Sequence, residues 1–289
     1  MSSCVVLCND DGIAAPALHT LAQILLDMGM EVVIFAPSEN RSACGMSLTL
    51  RKPLELKNHV ALEKEGLRVF SLAGTPSDCA IAIGDGILEK LGIDSKPKLL
   101  VSGVNVGSNM SVDVWHSGTI AAAREAALYG IPAVAISLTT FDESHMPKAL
   151  NASEKLLQQV LEIIPEEPVN WPRDIDASLE DNALQSFLSG QSFLNVNIPP
   201  EWTGDFTCTT LGRRYYFGAL TLTGNHIEIG ASAIVNGESE TGDVDAIVRG
   251  EASISLLSAH PSQHPDFPPD TVFEEHMQAD DGWPTWFQD

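Results

Sequence analysis

The chain is short of positive charge. It has 16 lysine and arginine residues against 39 aspartate and glutamate residues, giving a formal net charge of −23 over 289 residues. A surface that binds DNA or RNA unspecifically has to be basic, so this balance argues against a nucleic-acid polymer as partner. It does not exclude a single nucleotide, because a bound metal ion reverses the sign of the local field.

The chain also lacks long apolar runs and paired cysteines. No run reaches the roughly 18 apolar residues that a membrane span needs, and no basic segment precedes an apolar stretch at the start. We therefore expect neither membrane insertion nor secretion. The five cysteines are scattered, at positions 4, 8, 44, 79 and 208, without the spacing of a zinc site. We expect reduced thiols in a cytoplasmic protein.

Short apolar runs alternate with helical patterns through the first half of the chain. The runs predict buried parallel strands, and the patterns between them predict helices. This alternation predicts an α/β fold with a Rossmann-like, doubly wound, mostly parallel sheet. The predicted strands are 4–8, 31–36, 67–72, 97–102 and 131–138, and the predicted helices are 16–28, 79–91 and 120–129.

The regular alternation of strand and helix patterns ends after about residue 140, and we expect the chain to have three parts. Residues 1–140 would form the Rossmann-like core, residues 141–260 an α+β extension, and residues 261–289 an acidic, proline-rich tail. We expect residues 165–190 to form an exposed segment outside the packed core. The extension would hold a helix over 148–164 and strands or hairpins over 192–198, 206–211, 227–233 and 246–258.

Two adjacent carboxylates follow the first predicted strand, in Asn9-Asp10-Asp11-Gly12. Ligands bind outside the carboxyl ends of strands in open α/β sheets. Two unit charges about 4 Å apart repel by roughly 4 kcal/mol at an effective dielectric of 20. A bound cation would offset this repulsion, so the pair predicts a cation site. The alternative is that Asn9 and Asp10 only shape the turn and cap the helix.

Two further polar loops follow predicted strands, over residues 37–47 and 103–119. In a parallel sheet all three loops meet at one crevice. They offer carboxylate, hydroxyl and amide oxygens, the donors that select Mg²⁺, Mn²⁺ or Ca²⁺ over zinc. Backbone N–H groups at a helix start such as Ser117-Gly118-Thr119 bind anions. A divalent ion beside such a helix start predicts a phosphate ester as substrate.

Several blocks in the right order resemble the SurE family of metal-dependent 5′/3′-nucleotidases. They cover the first half of the chain and reach into the second, which is more specific than any single motif. The blocks are NDDG at 9–12, APSENRSACGMSLTL at 36–50, AGTPSDC at 73–79, SGVNVGSN at 102–109, DVWHSGTIAAAREAALYGIPAVAISL at 113–138 and LNVNIP at 194–199.

The resemblance implies hydrolysis of nucleoside monophosphates with one Mg²⁺ or Mn²⁺ ion. It implies four metal ligands: Asp10, Asp11, Ser42 and Asn105. Asn9, Asn40, Ser111 and Asp113 would bind the substrate, and Asn109 and Ser117 would join Asp10 and Asp11 in catalysis. Asp10 is the first choice for a base or metal-bridging carboxylate. The resemblance also implies a homodimer or homotetramer, with hairpins of the second half exchanged between subunits.

The chain departs from the family pattern at Cys8, Ala43, Met46, Trp115-His116 and Ser255–Leu257. These changes motivate a second hypothesis, a metal- or nucleotide-binding module that has lost catalysis. A third, an aspartyl-nucleophile phosphatase, needs two aspartates separated by one residue, whereas these are adjacent. The basic-aromatic patch Arg213-Arg214-Tyr215-Tyr216 would either touch the nucleotide or serve strand packing and surface ion pairs.

Overall fold

The computed structural model describes residues 2–166, 182–230 and 233–261. The strands are β1 (Ser3–Cys8), β2 (Glu31–Pro37), β3 (Leu56–Asn58), β4 (Leu67–Leu72), β5 (Lys96–Val106), β6 (Ala133–Leu138), β7 (Ser192–Ile198), β8 (Phe206–Thr209), β9 (Arg213–Phe217), β10 (Leu220–Thr223), β11 (His226–Ile229), β12 (Ala233–Gly237) and β13 (Ala252–Ser258). The α-helices are α1 (Pro16–Asp27), α2 (Pro76–Gly84), α3 (Ile87–Lys90), α4 (Gly118–Leu128), α5 (Met146–Ile163), α6 (Ala183–Leu188) and α7 (Asp243–Val248).

One nine-stranded sheet dominates the structure, in the order β3-β4-β2-β1-β5-β6-β7-β13-β8. The six strands from β4 to β7 are parallel. The chain first builds outward from β1 to β2 and β4, and then returns to β5 on the other side of β1. The reversal lies between β1 and β5, which is where doubly wound sheets bind ligands. The predicted α/β fold is confirmed.

The strands are apolar because both faces of the sheet are covered. In β1, Val5 and Leu7 belong to the apolar cluster on one face, whereas Cys4, Val6 and Cys8 belong to the cluster on the other. Helices α1 and α5 pack together on the first face, and α2 and α4 pack together on the second. The site residues that follow β1 are therefore fixed by a strand with no exposed side.

One helix prediction differs from the structure. The single helix predicted over 79–91 is two helices, α2 and α3, because the backbone turns at Gly86 with φ +78°. Helix α2 starts with a capping box: the Thr75 hydroxyl accepts from the Asp78 N–H, and the Asp78 carboxylate accepts from the Thr75 N–H. Helix α1 begins at Pro16 and buries Leu18, Leu21 and Leu25, close to the prediction.

The prediction of strands or hairpins over residues 246–258 is wrong for the first part of that range. The stretch begins inside α7, and only Ala252–Ser258 forms a strand, β13. The predicted strand over 227–233 is divided between β11 and β12, and the one over 206–211 ends at Thr209. The exposed segment predicted over 165–190 contains α6, and most of its other residues lie outside the described ranges. The predicted tail beyond residue 261 also lies outside them.

Four strands form two small pairs outside the main sheet, β9 with β12 and β10 with β11. In the second pair, Leu220 lies opposite Ile229 and Leu222 opposite Ile227. Because side chains alternate along a strand, these four form one aliphatic face. Each of the four is more than 60 % exposed. Among the described residues, no helix is long and apolar enough to cross a membrane.

Candidate metal and phosphate site

Two adjoining cavities flank the loops at the reversal between β1 and β5. We name them by their aspartates. The Asp10 cavity has a volume of about 710 Å³ and the Asp11 cavity about 780 Å³. Both are lined by Ser42, Val106 and Phe141. Predicted site residues lining the Asp10 cavity are Asp10, Ser42, Asn105, Asn109, Asp113 and Ser117, and those lining the Asp11 cavity are Asp11, Asn40 and Ser42.

Asp10 is buried at the start of α4. Its Oδ1 accepts from the Thr119 hydroxyl at 2.6 Å, and the backbone N–H groups of Gly118 and Thr119 also bond the carboxylate. Burial nevertheless raises the pKa of Asp10 above its ordinary value. A Cβ at Gly118 would lie 2.8 Å from the Asp10 Cβ, so only glycine lets the helix approach this closely.

Asp11 is less buried and points toward the other cavity. Its pKa is raised to about 6, first by burial and then by the negative charges of Asp10 and Glu143, while a hydrogen bond from the Val106 N–H acts in the opposite direction. Among the described residues, no ion pair joins Asp10 or Asp11 to a lysine, arginine or histidine. A bound cation would relieve the repulsion between two neighbouring carboxylates that have no protein cation as partner, which makes the pair a candidate for metal binding.

Ser42 and Asn105 add neutral oxygen atoms to the two carboxylates as candidate metal ligands. The Asn40 Oδ1 accepts from the Ser42 hydroxyl at 2.8 Å and from the Ser42 N–H at 2.9 Å, which leaves the Ser42 Oγ lone pairs available. The Asn105 Nδ2 donates to the Gly107 carbonyl at 2.7 Å, and no described residue donates to the Asn105 Oδ1.

The donors fit a hard divalent cation. Two carboxylates, a hydroxyl and an amide carbonyl suit Mg²⁺ or Mn²⁺, which retain water as further ligands. The described residues contain no group of three or more histidine, cysteine, aspartate or glutamate side chains that could hold a metal. A site here therefore depends on Ser42 and Asn105 as well as on the aspartates.

Asn109 is held by side chains that the sequence reasoning did not identify. Its N–H donates to the Asn197 Oδ1 at 2.8 Å, and its Nδ2 donates to the Ser137 hydroxyl at 2.7 Å. The Asn195 and Asn197 amides donate to its carbonyl at 2.9 and 3.0 Å. The available signal was the alternation Leu-Asn-Val-Asn-Ile in β7, which puts two asparagines on one buried face.

Ser117 lies at the N-cap of α4, where its Oγ accepts from the Ile120 N–H at 3.1 Å. The Gly118 and Thr119 N–H groups bond Asp10 and the Ile120 N–H bonds Ser117, so the helix dipole is the feature that makes this end of α4 attractive to a further anion. Ser117 and Asn109 line the same cavity as Asp10. The N-terminus of α4 thus lies beside the Asp10 carboxylate.

Two residues of the basic-aromatic patch lie at the site. Arg214 and Tyr216 line the Asp10 cavity. The Arg214 Nη1 donates to the Asp113 Oδ2 at 2.9 Å and to the Ser108 hydroxyl at 2.7 Å, and the Tyr216 hydroxyl donates to the Asp113 Oδ1. Asp113 therefore lines the cavity as the partner of a buried arginine, so its carboxylate is occupied by protein donors.

Asn9 and Ser111 lie elsewhere than expected. The Asn9 amide donates to the Gly12 carbonyl and accepts from the Gly12 N–H. Ser111 accepts from the Arg214 N–H at 3.1 Å and donates its own N–H to Asp243. Both residues are buried and line neither cavity. Their side chains shape the loops, which for Asn9 matches the turn interpretation.

Asp243 is a further residue that sequence reasoning missed. Its carboxylate accepts from the N–H groups of Ser111 at 3.0 Å, Gly212 at 2.8 Å and Val244 at 2.8 Å. Burial raises its pKa, and these bonds act in the opposite direction. It thereby joins the loop before α4 to the start of β9. An acidic residue at the start of α7 was visible in the sequence, but its distant partners were not.

Two of the departures from the family pattern meet at Arg124. The Arg124 guanidinium lies 5.3 Å from the Trp115 ring centroid and 3.7 Å from the Met46 sulfur. Cys8 is fully buried in the core. His116 lines the Asp10 cavity, whereas Trp115 is largely exposed. None of these residues displaces a predicted metal ligand.

Comparison with known proteins agrees with this geometry. The family model described as "Survival protein SurE" matches residues 5–218. The chain is 39 % identical over 217 residues to the 5′-nucleotidase SurE of Caldanaerobacter subterraneus subsp. tengcongensis, covering 73 % of this chain and 72 % of that protein. It is 34 % identical over 266 residues to the 5′-nucleotidase SurE of Geotalea daltonii, covering 88 % and 92 %.

A solved structure has the same fold. The crystal structure of the SurE protein from Aquifex aeolicus superimposes with a TM-score of 0.64 at 24 % identity, covering 90 % of this chain and 94 % of that one. The structural likeness supports the fold assignment, and the sequence matches support the family assignment. The chain belongs to the Survival protein SurE family.

Proposed function

We propose that this protein hydrolyses nucleoside monophosphates to nucleoside and inorganic phosphate with one bound Mg²⁺ or Mn²⁺ ion. One observation carries the proposal: Asp10, Ser42 and Asn105 line the same cavity as the N-terminus of α4. A cation site beside an anion site suits a phosphate monoester. The names of the curated relatives, 5′-nucleotidase SurE, support the same reaction.

The proposed metal ligands are Asp10, Asp11, Ser42 and Asn105. The ion, when bound, would polarise the phosphoryl oxygens and lower the pKa of a bound water. Asn40 orients the Ser42 hydroxyl, and Thr119 fixes one oxygen of Asp10. These hydrogen bonds decide which oxygens of the protein remain free to bind.

Phosphate binding would fall to Asn109, Ser117 and the positive end of the α4 dipole. These donors lie where negative charge collects on the phosphoryl oxygens, and such preorganised donors are a large part of catalysis. Asp10 is the proposed base that takes a proton from the attacking water. The water oxygen then bonds to phosphorus as the ester bond breaks, and the departing alkoxide takes up the proton that Asp10 received.

The test is hydrolysis of 5′-AMP and of p-nitrophenyl phosphate, before and after treatment with EDTA and after addition of Mn²⁺ or Mg²⁺. We expect phosphate release that EDTA abolishes and the metal restores. Activity that survives chelation would contradict the proposal, as would a phosphoenzyme trapped on Asp10. Metal-dependent nucleotide binding without turnover would also contradict it.

We also propose that the protein assembles as a homodimer or homotetramer through residues 141–260. The aliphatic face of the β10–β11 hairpin supports this, because an isolated two-stranded hairpin is marginal in water. Leu220, Leu222, Ile227 and Ile229 would find cover on a second copy. Residues 1–140 would carry the metal and phosphate site. A cytoplasmic location is supported by five cysteines, all described, that form no disulfide.

A further inference from the structure

We propose that one face of the β9–β12 pair forms a nucleobase subsite, with the Tyr216 ring as its platform. The inference rests on the proposed function and deepens it, because it assigns the part of the cavity that recognises the nucleoside. Neither the family match nor the relatives' names assign a role to this face.

The register of the pair decides which side chains face the cavity. Tyr216 lies directly opposite Ile234, and Arg214 lies opposite Asn236. Since side chains alternate along a strand, these four share one face. Tyr216, Ile234 and Arg214 all line the Asp10 cavity. Tyr215 projects from the other face and lines neither cavity described above.

The Tyr216 ring is held in place at its far end. Its hydroxyl donates to the Asp113 carboxylate, which also accepts from Arg214. The ring therefore has a fixed position relative to the loop before α4, and a ligand that stacks on it need not order it first. A platform whose position is set in advance reduces the entropy lost on binding.

The cavity has both polar and apolar lining. Polar residues that line it include Asp10, Asn105, Asn109 and Ser117, and the other lining residues include Ala219, Ile229, Ile234 and the rings of Phe141 and Tyr216. Phe141 is 85 % exposed, so its ring is open to a ligand. A molecule with an anionic end and a flat, apolar end suits such a mixed lining, and the volume of about 710 Å³ lies in the range of small-ligand sites.

The chemistry of these walls predicts the kind of selectivity. Stacking on an aromatic ring tolerates any base, because every base has a π-face. We therefore expect the subsite to distinguish esters with a base from esters without one. AMP and CMP would both be preferred to ribose 5-phosphate, which offers the same phosphate and sugar.

The experiment compares kcat/KM for AMP with kcat/KM for ribose 5-phosphate at saturating Mn²⁺. We expect Tyr216→Leu to lower this ratio about tenfold, mainly through KM for AMP. Tyr216→Phe keeps the ring and should lose less than Tyr216→Leu. Tyr215→Leu is the matched control on the opposite face, and it should leave the ratio unchanged.

An equal loss on both esters would overturn the inference, because Tyr216 would then act on the reacting end through Asp113. An unchanged ratio in Tyr216→Leu would overturn it as well. If that variant does not fold, Phe141→Leu on the facing wall replaces it with the same expectation.

If neither ester is hydrolysed, the proposed function fails and the subsite is tested by binding alone. Equilibrium dialysis with adenosine, which carries no phosphate, should show weaker binding to Tyr216→Leu than to the wild type. Equal binding to both proteins would reject the subsite independently of any turnover.

Discussion

The Asp10 carboxylate shows how little freedom the site leaves to a single side chain. The Thr119 hydroxyl occupies Oδ1, and two N–H groups from the start of α4 also bond the carboxylate. These contacts fix the plane of the carboxyl group. Hydrogen bonds behind a metal ligand of this kind orient it and tune its basicity.

Thr119→Val tests this contact. Valine has nearly the same shape, so it removes the hydroxyl at a buried position with little change in packing. We expect a 10- to 100-fold loss in Mn²⁺ affinity or in turnover, measured by titration calorimetry and phosphate release. Thr210→Val, at an exposed position, is the control. Unchanged metal affinity in Thr119→Val would show that the hydroxyl does not support the ion.

Asp11→Asn tests the pair of carboxylates. Removing one charge leaves the shape intact and weakens a divalent cation site, so we expect Mn²⁺ affinity to fall by about 100-fold or more. Turnover at limiting metal should fall with it. Asp85→Asn, which removes only an exposed ion pair with Lys90, should change neither quantity. Full turnover of Asp11→Asn at limiting metal would contradict the assignment.

Some candidate residues could be chosen because their local sequence carries the signal. Asp10, Asp11, Ser42 and Asn105 are polar residues that follow or end apolar strands, and parallel topology predicts that they meet. Asp10, Ser42 and Asn105 line one cavity, whereas Asp11 lines the adjoining one. Asp243 could not be found in this way. Its partner Ser111 is 132 positions away, and no local pattern reports a contact over that distance.

At the scale of elements, α7 and β9 hold the loop that precedes α4. Asp243 at the first position of α7 binds the N–H groups of Ser111 and Gly212. Arg214 in β9 binds Ser108 and Asp113. The position of the loop that carries Asn109 therefore depends on two elements from the second half of the chain.

Asp243→Ala tests this dependence. It leaves buried N–H groups without acceptors, which costs about 1–3 kcal/mol for each group. We expect a lower free energy of unfolding by urea denaturation, together with reduced turnover. The neighbouring Asp245→Ala is the matched control, since one oxygen of Asp245 has no hydrogen-bond partner among the described residues. A stable Asp243→Ala protein with full turnover would show that the loop is held by other contacts.

Helix α7 also explains the error in the predicted strands. It has six residues, fewer than two turns, so its periodicity cannot be told from that of a strand. The apolar residues of α7 and β13 read as one run over 246–258. Packing on β13, β7 and β8 decides the outcome in the folded chain, and that packing is not encoded locally. The division of the predicted helix at Gly86 could not be predicted either, because glycine is tolerated inside many helical patterns.

At the scale of the molecule, the sheet joins the two halves of the sequence. Strands β7, β13 and β8 extend the parallel core of the first half, and Asn195 and Asn197 of β7 hold Asn109. The alternation of strands and helices predicted the core. It did not predict that β7, β13 and β8 join the same sheet, because their order depends on pairing between segments more than 50 residues apart in the sequence.

The proposed assembly is tested by Leu222→Glu. The change places a charge on the aliphatic face of the β10–β11 hairpin, opposite Ile227, so burial of that face in an interface would become unfavourable. We expect the wild type to be a dimer or tetramer by sedimentation velocity and the variant to dissociate. Thr221→Glu, on the polar face of the same strand, should leave the mass unchanged. A monomeric wild type would reject the assembly.

The two cavities share Ser42, Val106 and Phe141, yet each reaches a different aspartate. A nucleotide filling one side would leave the other open to solvent. Ions could then exchange through the second opening while the ester is still bound. The rate of hydrolysis should therefore not depend on whether metal or substrate is added first. The cation should also be able to dissociate before the nucleoside does.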